Sequence, residues 1–448
     1  MTSTATSTIL ILGGGGREHA LAWRCTHEGH AVIAAPGNDG IARLDGARCT
    51  PISLGDGEGV VELALREAVD LVIVGPEAPL VDGLADLLRA AGVATIGPGA
   101  RAAELEGSKS LAKAFMVAHR IPTARHVTVR DLESGLAALA DFDAPPVVKA
   151  SGLAAGKGVT VAETKAEAEA ALRECLEGGR FGAAGAEVVL EERLSGEEAS
   201  FFVLTDGTHA VTFEPCQDHK RIGDGDTGPN TGGMGAYCPA PIVDAAVRAK
   251  VMKRIVGPTL AGLREEGRPF VGVLFVGLMI DAGEPSVVEY NVRFGDPEVQ
   301  PLMLGLEVDL VPQLLAAANG ELRDGHLPGA PAATVVLASA GYPETSTKGV
   351  PIEGLEAAMA SARASSGQAI FHAGTGLEGE VWETRGGRVI GVCASGEGLD
   401  EALSKAYALL AEIGLEGGQY RRDIGSRAGF DLGSGPGSGP GSGRTPED

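Results

Sequence analysis

The sequence predicts an α/β protein, α+β overall, divided into about three domains. Three observations lead there. Short apolar runs at 8–12, 70–74 and 93–96 each end in a glycine or Gly-Pro loop. Strands of that kind, alternating with helical stretches, build a parallel sheet whose ligands sit at the strands' carboxyl ends. A later region pairs strands through glycines, which suits antiparallel structure. The 448 residues exceed one ordinary core, since domains average ~150 residues.

In order, the run 8–12 leads into Gly13 to Gly16 and a helical stretch over 18–25. The runs 70–74 and 93–96 end in Gly75-Pro76-Glu77 and Gly97-Pro98-Gly99. From Gly107 the pattern changes, and a helix over 109–118 leads to Ile121-Pro122. Short strands follow at 147–149, 158–161, 188–192 and 199–204, then longer ones at 272–280 and 286–290. Residues 334–339 open a last region with an apolar run at 368–372. Its segments 381–383 and 388–392, joined through Gly386-Gly387, read as a hairpin. From Gly433 a Gly-Ser-Gly-Pro repeat cannot form a core and reads as a disordered tail.

Apolar content of 44% and charged content of 22% fit a globular chain. No window holds the ~18 apolar residues of a membrane span. Six cysteines are scattered without a CxxC pair, which argues against zinc or a disulfide framework and for the cytoplasm. A net charge of -23 without a basic run argues against nucleic acid as a partner.

Four segments carry chemistry. Gly13 to Gly16, between a strand and a helix, can bring free N–H groups to an anion. The dinucleotide fingerprint fails, because Glu18 or His19 stands where its last glycine belongs. Lys149 ends a strand before the loop 150–158, which can fold over a triphosphate. It is not a P-loop, since three residues separate Gly152 from Gly156 and Gly158 follows Lys157. The segment 188–201 gives a strand, a break and a strand, with carboxylates at Glu191, Glu192 and Glu198. In 287–298, Glu289, Asn291 and Arg293 alternate onto one face. A carboxylate and an amide oxygen there suit Mg²⁺, which keeps waters and takes phosphates as ligands. Arg293 can stabilise charge in phosphoryl transfer. A further stretch, 217–221, mixes acid, imidazole and cations, and the glycine-rich 226–236 suits a lid.

In this order, the segments GGGGREHALAW, VGPEAPL, EGSKSLAK, KASGLAAGKGV, EERLSGEEASF, QDHKRIGDGDTGPNTGGMGAY and EYNVRFGDPE resemble the ATP-grasp enzymes. More narrowly, the chain resembles the phosphoribosylamine–glycine ligase family from about residue 9 to 428. The resemblance implies an N-terminal parallel-sheet domain over 1–105 and an ATP-grasp domain over 106–330 with a mobile lid at about 124–194. It also implies a small C-terminal domain with antiparallel strands over 331–430, before a 431–448 tail. It implies ATP-dependent ligation of glycine to 5-phosphoribosylamine through glycyl phosphate, by a cytoplasmic monomer or homodimer.

Carried over by motif, Lys109 and Lys149 would meet ATP phosphates, and Gly156, Lys157, Gly158 and Val159 would cover them. Glu191, Glu192 and Leu194 would meet adenine, and Glu198 the ribose. Glu289 and Asn291 would bind Mg²⁺ or Mn²⁺. Arg293 and Asp296 would orient glycine and the acyl phosphate, with Lys149 in the catalytic set. Gly14, Gly15, Gly16, Arg17, Glu77, Asp218, Lys220 and Arg293 would contact the substrates. Many ATP-grasp enzymes place a second acid on the strand before the metal strand, but 271–280 contains no carboxylate.

Three other readings compete. A dinucleotide-dependent oxidoreductase leaves Lys149, the second glycine loop and Glu289/Asn291 without work. A non-catalytic nucleotide-binding protein leaves the metal pair and Arg293 unexplained. Another purine-pathway ATP-grasp ligase with a different acceptor is set aside on the DHKR and PNTGGMGAY stretches, by resemblance alone.

Overall fold

The first apolar run becomes β1 (Thr8–Gly13), with Ile9 to Leu12 fully buried. The computed structural model describes residues 6–154, 158–179 and 181–431, so Gly156, Lys157 and the stretch from 432 lie outside them. β1 is flanked by β2 (Ala31–Pro36) and, further along the chain, by β4 (Leu71–Val74). β3 (Ala47–Cys49) and β5 (Thr95–Ile96) complete a parallel sheet in the order β3-β2-β1-β4-β5. Leu10 and Leu12 pack into one apolar cluster, Ile9 and Ile11 into another. A parallel strand buried on both faces reads as a continuous apolar run, which is why β1 was visible.

β6 (His126–Val129), β7 (Val147–Ala150), β8 (Val159–Val161) and β9 (Val188–Glu191) form an antiparallel sheet, ordered β6-β9-β7-β8. The chain continues through β10 (Glu197–Thr205), β11 (Ala210–Thr212) and the short β12 (Gln217–Asp218). A hairpin of β13 (Arg221–Gly223) and β14 (Thr227–Asn230) leads to β15 (Gly235–Cys238). The long β16 (Gly272–Asp281) and β17 (Glu284–Asn291) follow, then β18 (Gly325–His326). The last region holds β19 (Ala332–Ala338), β20 (Ile352–Glu353), β21 (Gln368–His372), β22 (Thr375–Glu378), β23 (Val381–Thr384), β24 (Arg388–Ser395) and β25 (Gly414–Leu415). One five-stranded sheet runs β17-β16-β10-β11-β18, and another β12-β15-β19-β24-β21. Among the described residues no helix is long and apolar enough to cross a membrane.

The hairpin expected through Gly386-Gly387 does not form. β23 pairs with β22, while β24 lies between β19 and β21. The reason is burial: Val389 to Ala394 are buried, so their backbone N–H and C=O groups need partners at both edges, which β19 and β21 supply. β23 alternates exposed and buried residues and suits a two-stranded ribbon.

The helix after β1, Gly16–His27, is locked to distant elements. Arg24 donates to the carbonyls of Leu306 (2.9 Å) and Val308 (2.7 Å) and pairs with Glu28 at 2.5 Å. Glu28 accepts from the N–H groups of Leu310 (2.7 Å) and Val311 (3.0 Å), at the start of helix Leu310–Ala318. A carboxylate is favoured there by the unpaired N–H groups and the dipole. On the other side His19 stacks on His372 of β21, with centroids 5.5 Å apart, and its Nδ1 accepts from the His372 N–H. Glu28→Ala should therefore lower the thermal unfolding midpoint by about 5–10 °C, since it strands a buried guanidinium and two helix-end donors. A calorimetric scan checks this, and an unchanged midpoint would show that the helix is held otherwise.

Candidate active site

Strands β10, β16 and β17 pair so that Ser200, Gly277 and Glu289 lie in one row. Cross-strand neighbours share a face, so Glu198, Ser200, Glu289 and Asn291 present to one side of the sheet. Phe201, Val276 and Tyr290 point to the other side, into an apolar cluster. Gly277 stands directly opposite Glu289 on the neighbouring strand. A methyl carbon there would approach Glu289 Cγ to 3.2 Å, so the glycine leaves that side chain room.

Arg293 follows β17 and turns back to the same side. It donates to Asn291 Oδ1 (3.1 Å) and to the Phe294 carbonyl (3.2 Å). It also pairs with Glu106 (2.7 Å) and with Glu77 (3.3 Å), the first residue of the short helix Glu77–Val81 after β4. Burial opposes its charge, but Glu106 and Glu77 outweigh that and hold it firmly protonated. Burial alone would push the Glu289 carboxyl up. Lys220, Lys149, Lys109 and Arg293 overcome it and hold the group below the ordinary carboxylate range.

The lysines arrive from three elements. Lys149, at the inner end of β7, donates to Glu191 Oε2 (3.0 Å) and to the Val288 carbonyl (3.3 Å). Lys109 starts the helix Lys109–Ala118, where its Nζ reaches the Gly152 carbonyl at 3.3 Å. Burial lowers its pKa, opposed by Glu289. Lys220, two residues after β12 ends, pairs with Glu198 at 2.8 Å. That pairing holds Glu198 ionised below its usual range. The structure thus places a residue expected to meet ribose against one expected to meet the second substrate.

Other expected residues are more dispersed. Glu191 is buried in an ion pair, with Lys113 at 2.9 Å as well as Lys149 on the same oxygen. Its Oε1 is buried without a hydrogen-bond partner. Glu192 is exposed and Leu194 half-buried in the turn between β9 and β10. Gly158 accepts from the Ala150 N–H at 2.8 Å, and Val159 opposes Lys149 in the β7–β8 hairpin. Gly15 donates its N–H to Glu18 Oε2 at 2.6 Å. Gly14 and Gly16 flank it in the same loop, whose side nearest Gly15 faces the Asp296 carboxylate. Arg17 points inward, to Glu18 (2.7 Å) and the Phe294 carbonyl (3.4 Å). Asp218 is buried, which raises its pKa against the pull of Lys220. The segment 226–236, read as a lid, is tied down by Arg421 and Arg427, which pair with Asp226 at 2.7 and 2.8 Å.

Sequence reasoning missed Lys113, Glu106, Glu298 and Arg388. Lys113 sits four residues after Lys109, one helical turn along the same face, and that spacing was the available signal. Glu298 lies inside a quoted motif, yet only the fold shows it buried, accepting from Ser200 Oγ at 3.0 Å.

Among the described residues no group of three or more His, Cys, Asp or Glu side chains forms a metal cage. The donor set on β17, one ionised carboxylate and one amide oxygen, fits a hard cation that keeps other ligands from phosphate and water.

Three family models match the chain. They are the phosphoribosylglycinamide synthetase N domain over residues 7–106, its ATP-grasp (A) domain over 107–299 and its C domain over 332–427. A phosphoribosylamine–glycine ligase of Xylella fastidiosa is 49% identical over 431 residues, covering 94% of this chain and 98% of that one. One from Xanthomonas axonopodis is 51% identical over 427 residues, covering 94% and 97%. The crystal structure of the Thermotoga maritima phosphoribosylamine–glycine ligase superposes with a TM-score of 0.82 at 33% identity, covering 93% of this chain and all of that one. A biotin carboxylase domain of Hydrogenobacter thermophilus, at 17% identity and TM-score 0.68, shares the fold.

Burial first, and Asp218 second, raise the Glu298 pKa from 4.5 to about 7. The folded chain therefore keeps a proton that the unfolded chain releases. Stability from this group is full below pH 4.5 and is lost as the pH rises to about 7. Glu298→Gln should remove that loss while keeping an acceptor for Ser200. Its unfolding midpoint should then fall less than the wild-type midpoint across this window, and parallel curves would show that another group titrates.

Proposed function

The chain belongs to the phosphoribosylglycinamide synthetase family, and we propose that it joins glycine to 5-phospho-β-D-ribosylamine through glycyl phosphate. It is an ATP-dependent carbon–nitrogen ligase of purine biosynthesis, yielding glycinamide ribonucleotide, ADP and phosphate. The observation that carries the residue-level reading is the ionised Glu289 among Lys109, Lys149, Lys220 and Arg293.

A glycine carboxylate is inert toward an amine until one oxygen becomes a phosphate leaving group. Lys109 and Lys149 bind the ATP phosphates, and the loop through Gly156, Lys157, Gly158 and Val159 covers them and excludes water. Glu191, Glu192 and Leu194 border the adenine, and Glu198 faces the ribose. Glu289 and Asn291 hold Mg²⁺ or Mn²⁺, which when bound neutralises charge on the transferring phosphoryl group. Arg293 steadies the glycine carboxylate as its oxygen attacks the γ-phosphorus and ADP departs. Asp296 holds the glycine ammonium group. The ribosylamine nitrogen then attacks the acyl carbon and phosphate leaves. Gly14 to Arg17, Glu77, Asp218 and Lys220 border that second substrate.

The family-model matches support divisions near residues 105 and 330. The scattered cysteines support a cytoplasmic protein, and the acidic charge supports action on small molecules without nucleic acid.

Purified protein should release phosphate from ATP only with Mg²⁺, glycine and phosphoribosylamine all present. Equal turnover without glycine contradicts the reaction. Glu289→Gln keeps the shape and removes the charge, and should cost roughly 10²-fold or more in kcat. Near-normal activity at low Mg²⁺ would count against Glu289 as the metal ligand.

A further inference from the structure

Asp296 lies in the turn between β17 and the helix Val299–Gly305. It is held from the C-terminal region. Arg388, the first residue of β24, donates from Nη2 to Asp296 Oδ2 at 3.0 Å. From Nη1 the same guanidinium donates to the carbonyls of Asp296 (2.8 Å) and Gly232 (2.6 Å). A methyl carbon on Gly232 would come within 3.0 Å of Arg388 Cζ, so the glycine leaves space for the guanidinium. The other carboxylate oxygen, Oδ1, accepts from Gln300 Nε2 at 3.3 Å. Gln300 is itself held by Thr334 Oγ1 of β19, at 2.9 Å. On its open side Asp296 faces the first glycine loop, where a methyl on Gly15 would lie 3.9 Å from Oδ2.

We propose that Arg388 is a positioning residue for the glycine subsite, fixing the Asp296 carboxylate so that it meets the glycine ammonium group. This rests on the reading of Asp296 given above. A carboxylate in a turn has two free side-chain torsions, and a misplacement of ~1 Å at a reacting centre can cost about 10²-fold. The guanidinium fork reaches one carboxylate oxygen and two carbonyls at once, a geometry an ammonium group cannot reproduce. The C-terminal region thereby completes a site whose chemistry lies elsewhere in the chain.

The test compares Arg388→Ala, Arg388→Lys, Asp296→Asn and the double variant Asp296→Asn with Arg388→Ala, in the full chain. Arg388→Ala should raise KM for glycine ~10-fold or more and leave KM for ATP within about twofold. Added guanidinium ion should restore part of the loss. Arg388→Lys should stay impaired. The double variant should lose less than the sum of the two single losses, because both changes break the same Arg388–carboxylate pair. An unchanged KM for glycine in Arg388→Ala, or equal rises for glycine and ATP, overturns the proposal. So do additive losses in the double variant. A lowered unfolding midpoint without guanidinium rescue assigns Arg388 a structural role only and also overturns it. If Asp296→Asn itself leaves KM for glycine unchanged, the reading of Asp296 fails first and separably.

Discussion

A half-buried carboxylate on the inner face of a sheet stays ionised where cations surround it, and Glu289 meets that condition. Lys149 comes from one sheet, Lys109 from a helix, Lys220 from the segment after β12, and Arg293 from the turn after β17. Each cation is in turn costly to bury and needs its own anion. Glu191 serves Lys149, Glu198 serves Lys220, and Glu77 with Glu106 serve Arg293. The site is therefore one alternating lattice of charge. Removing one member disturbs partners that no sequence motif connects.

That lattice imposes a demand on the scaffold. Glu77 starts the helix Glu77–Val81 that follows β4, and reaches Arg293 only if the N-terminal sheet is held in register with β17. Glu28 and Arg24 supply one fixing point, and His19 against His372 a second. The C-terminal region adds Arg388 on Asp296, and Arg421 with Arg427 on Asp226. All three matched regions meet at the turn around Asp296.

Much of this was legible in the order of residues. The apolar runs at β1, β4, β10 and β16 stood out because strands buried on both faces admit few polar residues. Glu289 and Asn291 were legible because strand periodicity assigns a face, whereas Arg293 lies beyond the strand's end and reaches that side by a turn. The hairpin through Gly386-Gly387 was misread, since two short strands joined by glycines look alike whether they pair with each other or with distant strands. Lys113 was signalled only by its helical spacing from Lys109, and Glu106, Glu298 and Arg388 carried no local signal that singled them out.

The sequence by itself determined the alternation that puts a carboxylate and an amide on one face of β17. It also determined the motif order that marks the family. Those are properties of short segments, where chirality and side-chain period leave few choices. Only the tertiary structure decided which charges meet: Lys113 with Glu191, Lys220 with Glu198, Arg388 with Asp296. Pairings across tens to hundreds of residues depend on how sheets stack, and the burial that makes them matter exists only once the chain has folded.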